Sequence, residues 1–287
     1  MKFCIVGTGR SGTGLVRDIF NLHPSVCVAN ETHWIPTMWE MLGRTRNEFE
    51  VYVDIVERTS HVDGSMTLTG ILAQVGMSHA QFFSGVRSRL SDATRTDVVE
   101  FNSSAYATLA DGYGKAFCGD KTADYGAYMS LIQSLWPEVR FINVIRDGRD
   151  VAVSMFRHPG FRRMVSLGVS NWVPLSFRGF HQAHGRPSPS LLEFIRLWDR
   201  RLRQIMDEAS RLRPGSCLGV RYEDLLRHPE EEIRKMADFL KVPLDISWPE
   251  CAMRIVRSEK LHRPRHKALD EWLTGEAAET LSRFGYC

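Results

Sequence analysis

"GTGRSGTG", residues 7–14, follows the apolar run Phe3-Cys4-Ile5-Val6 and precedes the helical pattern Leu15-Val16-Arg17-Asp18-Ile19-Phe20. A strand, a glycine-rich turn and a helix in that order make a cradle for a phosphate. Backbone N–H groups at the helix start converge on an anion, and the helix dipole favours negative charge there. Gly7 and Gly12 are five positions apart, as in the first six places of the nucleoside-triphosphate loop GxxxxGK[ST]. The last two places differ. Thr13 stands where that loop has its phosphate-bridging lysine, and Gly14 where it has the hydroxyl that holds Mg²⁺. What remains is backbone at Gly12 and Gly14 with Arg10, Ser11 and Thr13 as side-chain donors, a set suited to a phosphate that needs no metal. The alternative class, a P-loop kinase or NTPase, would be without its lysine.

A second anion site is expected at "FINVIRDGRDVAVSMF", residues 141–156, where an apolar strand ends at Ile145 and is followed by Arg146 and a helix carrying Ser154. Arginine offers a planar fork of donors and serine one more, enough to hold a separate phosphoryl group. Taken alone, "RDGRD" reads equally well as a salt-bridged turn. Beside the first loop it becomes the second of two phosphate sites on two strand ends.

Short apolar runs at 3–6, 26–29, 97–101, 117–120, 141–145 and 217–221 alternate with helical patterns. This is the signature of an α/β chain with strands buried on both faces of a mainly parallel sheet. The expected fold is P-loop-type, with three layers and the central sheet flanked by helices. Residues 36–95 read as mostly helical, and 190–212 carry apolar residues at helical spacing. The segment 157–190, rich in glycine, proline, arginine and aromatics, reads as a long loop, either over the acceptor side or as a surface excursion.

The 287 residues are 43% hydrophobic and 25% charged with a net charge of +3. That composition excludes disorder of the whole chain and fits one domain over residues 1–287. It holds no dense basic tract for nucleic acid, so small anions are the expected partners. The six cysteines form no CxxC pair or metal-ligand spacing. Cys4, Cys118 and Cys217 lie in strand-like runs as small hydrophobes, which suits a reducing compartment. The first strand leaves no room for a signal sequence after Met1, and no run approaches the length of a membrane span. The expected location is cytoplasmic.

These motifs together resemble the sulfotransferases that use 3′-phosphoadenosine-5′-phosphosulfate. "GRSGTG" is similar to their 5′-phosphosulfate loop and "VIRDGRDVAVS" to their 3′-phosphate motif. "FCGDKTADY" (117–125) is similar to their GDKT segment, and "VRYEDLLRHPEEEIRKMADFLKVP" (220–243) to their C-terminal strand and helix. Within the family, "RSGTGLVRDIFNLHPSVCVANETHWIP" (10–36) most resembles the protein-tyrosine sulfotransferases and their bacterial relatives. The chain departs from that subgroup in having His33 where the resemblance suggests arginine and in its 157–190 segment, and no membrane anchor is expected.

The resemblance implies a donor, 3′-phosphoadenosine-5′-phosphosulfate, a product, 3′,5′-adenosine bisphosphate, and no metal requirement. It implies that Lys121, with Arg10, stabilises the departing phosphate, and that Tyr222 contacts the nucleotide. The late segment 256–272 resembles a basic loop over the nucleotide, with Ser258, Lys260 and Arg263 as candidates. Glu31, just past the strand 26–29 and so near the carboxyl edge where such folds bind ligands, is the candidate general base. His33 competes for that role, because two positions along an extended segment point the same way. Asp120 is expected to orient structure. The acceptor is expected to be a hydroxyl of a small metabolite, lipid or sugar, with a peptide tyrosine as the alternative.

Overall fold

In the computed structural model, the described residues are 1–59, 68–172, 188–244, 247–257 and 275–286. Five strands form one parallel sheet: β1 (Phe3–Gly7), β2 (Val26–Asn30), β5 (Phe117–Lys121), β6 (Arg140–Ile145) and β7 (Cys217–Arg221). They lie in the order β2-β5-β1-β6-β7, with the glycine-rich turn leaving the central strand. Two short strands, β3 (Asn47–Glu48) and β4 (Arg95–Thr96), pair antiparallel away from that sheet.

Period-two alternation along the strands sorts the core into two faces. Cys4, Val6, Cys27 and Ala29 face a helical layer that includes α2 (Trp34–Leu42), α3 (Phe49–Thr59), α5 (His79–Arg87) and α6 (Val98–Gly112). Phe3, Ile5, Val26 and Val28 face α1 (Thr13–Asn21), α12 (Pro229–Leu240) and α13 (Trp248–Met253). The expected three-layer arrangement is therefore present. A further cluster joins α8 (Gly148–Arg157), α9 (Pro159–Ser166) and α10 (Leu191–Ser210) through Val151, Phe161 and Trp198. Cys4, Cys27 and Cys118 are buried free thiols, while Cys217 is only half-buried.

Two expectations need correction. "DVVEF" (97–101) is no strand: it begins α6, with the Asp97 carboxylate accepting from the N–H groups of Val99 and Glu100, both at 2.9 Å. Aspartate before the first turn satisfies donors that helix formation leaves open. The apolar residues that follow then bury Phe101, Ala105, Tyr106 and Leu109 on one helical face. The 157–190 segment is not a loop throughout, because Pro159 opens α9, where its fixed φ and missing N–H suit the first helical turn. Residues 173–187 of that segment lie outside the described residues, as do Ser258, Lys260 and Arg263. The region 36–95 is mostly helical as expected, but contains β3 and β4. Among the described residues no helix is long and apolar enough to cross a membrane.

Replacing Asp97 with alanine removes the cap of α6 and is expected to cost about 1 kcal/mol of stability. A urea midpoint shifted by less than the error of the measurement would show that the cap contributes nothing.

Candidate active site

Parallel pairing gathers the carboxyl ends of the strands on one edge of the sheet, with the end of β5 level with Ile5, two residues before the end of β1. Asn30 of β2 is level with Lys121 of β5, Gly7 of β1 with Val144 of β6, and Ile145 of β6 with Arg221 of β7. The sequence candidates sit at or just beyond those ends: residues 7–14 after β1, Glu31 after β2, Lys121 at the end of β5, Arg146 after β6 and Tyr222 after β7. All therefore border the crevice where open α/β sheets bind ligands.

The turn after β1 curls by placing Gly9, Arg10 and Gly12 at φ of 79°, 57° and 105°. Glycine adopts such angles without strain, and a non-glycine residue there usually marks a constrained site. Gly12 is also fixed by contact, since a Cβ on it would lie 2.4 Å from the Tyr222 ring. Ser11 is fully buried, and its Oγ has no partner among the described residues. Arg10 donates from Nε to Ser154 Oγ at 3.1 Å, which joins the two expected phosphate sites directly.

Arg146 donates to Asp150 Oδ2 at 3.2 Å and to the Arg10 carbonyl at 3.4 Å, and its guanidinium lies 4.5 Å from the centre of the Tyr222 ring. Its buried Nε has no partner among the described residues. Two unsatisfied buried donors in one crevice fit a ligand with phosphate oxygens, because such groups are costly when left unpaired. Tyr222 is thus the spacer between the glycine-rich turn and Arg146.

At the other end of the crevice, Lys121 Nζ is ion-paired with Glu31 Oε1, and the Ala123 N–H donates to Glu31 Oε2 at 3.3 Å. Their side chains are only 5% and 15% exposed, so each charge depends on the other. Burial pushes the Glu31 carboxyl upward. The charges of Lys121 and His33 and the hydrogen bonds from Lys121 and Ala123 outweigh that and hold it below the usual carboxylate range.

His33 Nε2 is 3.7 Å from Glu31 Oε2, so both candidate bases enter the site. The geometry is not that of an extended segment, however. Glu31 and His33 have φ of 49° and 54°, and the backbone coils to bring their side chains together.

Of two supports behind the site, sequence reading missed one and anticipated only the anchor, Asp120, of the other. Arg201 of α10 is buried, pairs with Asp124 at 3.0 Å and donates to the Thr8 carbonyl at 2.8 Å, bracing the turn after β1 from below. An arginine on the apolar stripe Trp198-Leu202-Ile205 was the available signal. The other support is the hydroxyl cluster around Asp120, which receives O–H donors from Thr32, Tyr106 and Thr122. It has no local signature, because its members come from three separate stretches.

A sequence profile of the sulfotransferase family matches residues 3–246. The chain belongs to the sulfotransferase family. It is 21% identical over 244 residues to protein-tyrosine sulfotransferase A of Caenorhabditis elegans, covering 84% of this chain and 50% of that protein. It is 23% identical over 261 residues to the protein-tyrosine sulfotransferase of Drosophila melanogaster, covering 91% and 40%. The chain thus spans about half or less of the length of these curated relatives. The fold matches the sulfotransferase domain from the curacin biosynthetic pathway with a TM-score of 0.59 at 17% identity, covering 100% of this chain and 98% of that one.

Because the folded-state proton affinity of Glu31 is lowered, its stabilising contribution is present above the ordinary glutamate range and is lost as pH falls through the folded value. Glu31→Gln should therefore flatten the fall in urea midpoint between about pH 6 and pH 3. An unchanged profile would mean that the Glu31–Lys121 pair adds nothing to stability.

Proposed function

We propose that the protein transfers a sulfuryl group from 3′-phosphoadenosine-5′-phosphosulfate to an acceptor hydroxyl. The observation that carries this reading is the juxtaposition of two phosphate-type donor sets, joined at Arg10 and Ser154, each retaining an unpartnered buried polar atom. A donor with a 5′-phosphosulfate and a separate 3′-phosphate matches two such sets, and a nucleoside triphosphate matches only one. Ser11, Thr13 and the backbone of Gly12 and Gly14 would hold the first group, and Arg146 with Ser154 the second. Family membership of this chain supports the same chemistry.

In the proposed reaction the acceptor oxygen forms a bond to sulfur while the bond from sulfur to the 5′-phosphate oxygen breaks. The bonding electrons stay on that phosphate oxygen, and the acceptor proton passes to Glu31. Glu31 suits the task because its pairing with Lys121 keeps it ionised and proton-free. Lys121 and Arg10 supply positive charge where negative charge develops on the leaving phosphate. As Lys121 turns toward that charge, the carboxylate loses its counter-ion and its proton affinity rises. His33, beside Glu31, is the competing base.

For the acceptor we favour a small metabolite, lipid or sugar hydroxyl, since the chain departs at His33 and in the 157–190 segment from the pattern of the tyrosine-specific subgroup. A peptide tyrosine is the second reading, favoured by the names of the curated relatives. Competition of simple alcohols and tyrosyl peptides for labelled sulfuryl separates the two.

Calorimetric titration with 3′,5′-adenosine bisphosphate should show tight binding that is unaffected by Mg²⁺, with ATP binding more weakly. Preference for Mg²⁺-ATP would overturn the reading in favour of a kinase or NTPase. Arg146→Ala should weaken bisphosphate binding about 10-fold or more, the worth of a charge-assisted hydrogen bond. Lys121→Ala and Glu31→Ala should abolish transfer with binding largely kept. Full activity in Glu31→Ala would move the base role to His33 or elsewhere.

A further inference from the structure

Glu31 and His33 both hold left-handed backbone angles, and Thr32 lies between them. Such angles in non-glycine residues persist only where surrounding contacts over-determine them. The contacts here are made by Thr32, which is 4% exposed. Its Oγ1 is 2.7 Å from Asp120 Oδ2, 2.9 Å from Tyr125 Oη and 3.3 Å from Tyr106 Oη.

Counting donors gives the cluster a direction. Asp120 accepts from Thr32, Tyr106 and Thr122, so the single hydroxyl proton of Thr32 is committed to it. Tyr125 must then donate to Thr32, and its own oxygen accepts from the Ile35 N–H at 3.3 Å. The chain runs from the first turn of α2 through Tyr125 and Thr32 to Asp120, the residue immediately before Lys121. A final bond, from the Glu31 N–H to the Lys121 carbonyl at 2.8 Å, closes the segment onto the end of β5.

We infer that Thr32 and Tyr125 are positioning residues: their hydroxyls, anchored on Asp120, hold the coiled segment 31–33 so that Glu31 meets Lys121 and the acceptor. This rests on the reading of Glu31 as the base. Asp120 is completely buried and its three hydroxyl donors are at most 4% exposed, so the anchor is shielded from solvent competition. Release of one hydroxyl frees a segment whose backbone angles are otherwise disfavoured, and the carboxylate then drifts from its cation. Displacement of a reacting group by about 1 Å can cost on the order of 100-fold in rate.

The test compares Thr32→Val, Tyr125→Phe and Thr32→Ser with Glu31→Gln. Thr32→Val keeps the side-chain shape and removes the hydroxyl, and Tyr125→Phe breaks the same chain one link away should the first variant fold poorly. Both are expected to lower kcat by about 10- to 100-fold, with affinity for 3′,5′-adenosine bisphosphate within about twofold of the unaltered protein. Thr32→Ser should restore kcat. The acid limb of the kcat profile should also move to higher pH, because a carboxylate farther from Lys121 holds its proton more tightly.

The groups facing Glu31 are Lys121 and Asp120 from β5 and His33 from its own segment, and the two phenols face it through Asp120. Thr32→Val removes no ionisable group, and the lost hydroxyl raises the proton affinity of Asp120; neutralising Asp120 would move the Glu31 limb to lower pH, so a limb displaced to higher pH reports geometry. Loss of stability with kcat and acid limb unchanged would overturn the inference, provided Glu31→Gln is inactive. Activity surviving in Glu31→Gln would overturn the base assignment and the inference together.

Discussion

The parallel register of five strands is the constraint from which the rest follows. Parallel pairing puts all five carboxyl ends on one edge of the sheet in a staggered row, Asn30 and Lys121 level with Ile5 and the ends of β6 and β7 three residues further on, so the residues that come next border one crevice. Four of the strands, β1, β2, β5 and β6, are buried on both faces, and alternation commits each of their side chains to one helical layer; the edge strand β7 buries only Val220 fully. A register slip of one residue would turn Phe3 and Ile5 to the face now held by Cys4 and Val6. The site therefore inherits its precision from the core.

Around that crevice, some polar groups are satisfied by the protein and others have no partner among the described residues. Lys121 and Glu31 satisfy each other, a requirement at their burial because an uncompensated charge there would cost several kcal/mol. Ser11 Oγ and Arg146 Nε have no partner among the described residues. His33 Nδ1, beside the Glu31–Lys121 pair, is also without a partner among the described residues, and Tyr222 packs between Gly12 and Arg146.

Both ends are braced from behind. Arg201 ties Asp124 to the Thr8 carbonyl under the glycine-rich turn, and Asp120 gathers three hydroxyls under the Glu31 segment. Asp120 and Asp124 lie four positions apart around the end of β5, so a single stretch supports both halves of the crevice. Each brace is buried, which strengthens its hydrogen bonds and makes loss of any partner expensive.

The sequence by itself determined the strand, turn and helix at residues 3–20, five of the six expected strands, and the residues that border the crevice. Those features are encoded locally, in apolar periodicity and glycine placement. It misassigned 97–101 because two valines, a glutamate and a phenylalanine suit either structure, and the deciding element was one capping carboxylate. It brought Glu31 and His33 together for the wrong reason, since two residues of left-handed backbone leave no periodic trace. Only the tertiary structure decided that Glu31 meets Lys121, 90 residues away, and that Thr32 meets Tyr106 and Tyr125. Such pairings depend on which strand lies beside which, and that is set by the packing of the whole sheet rather than by any stretch of the chain.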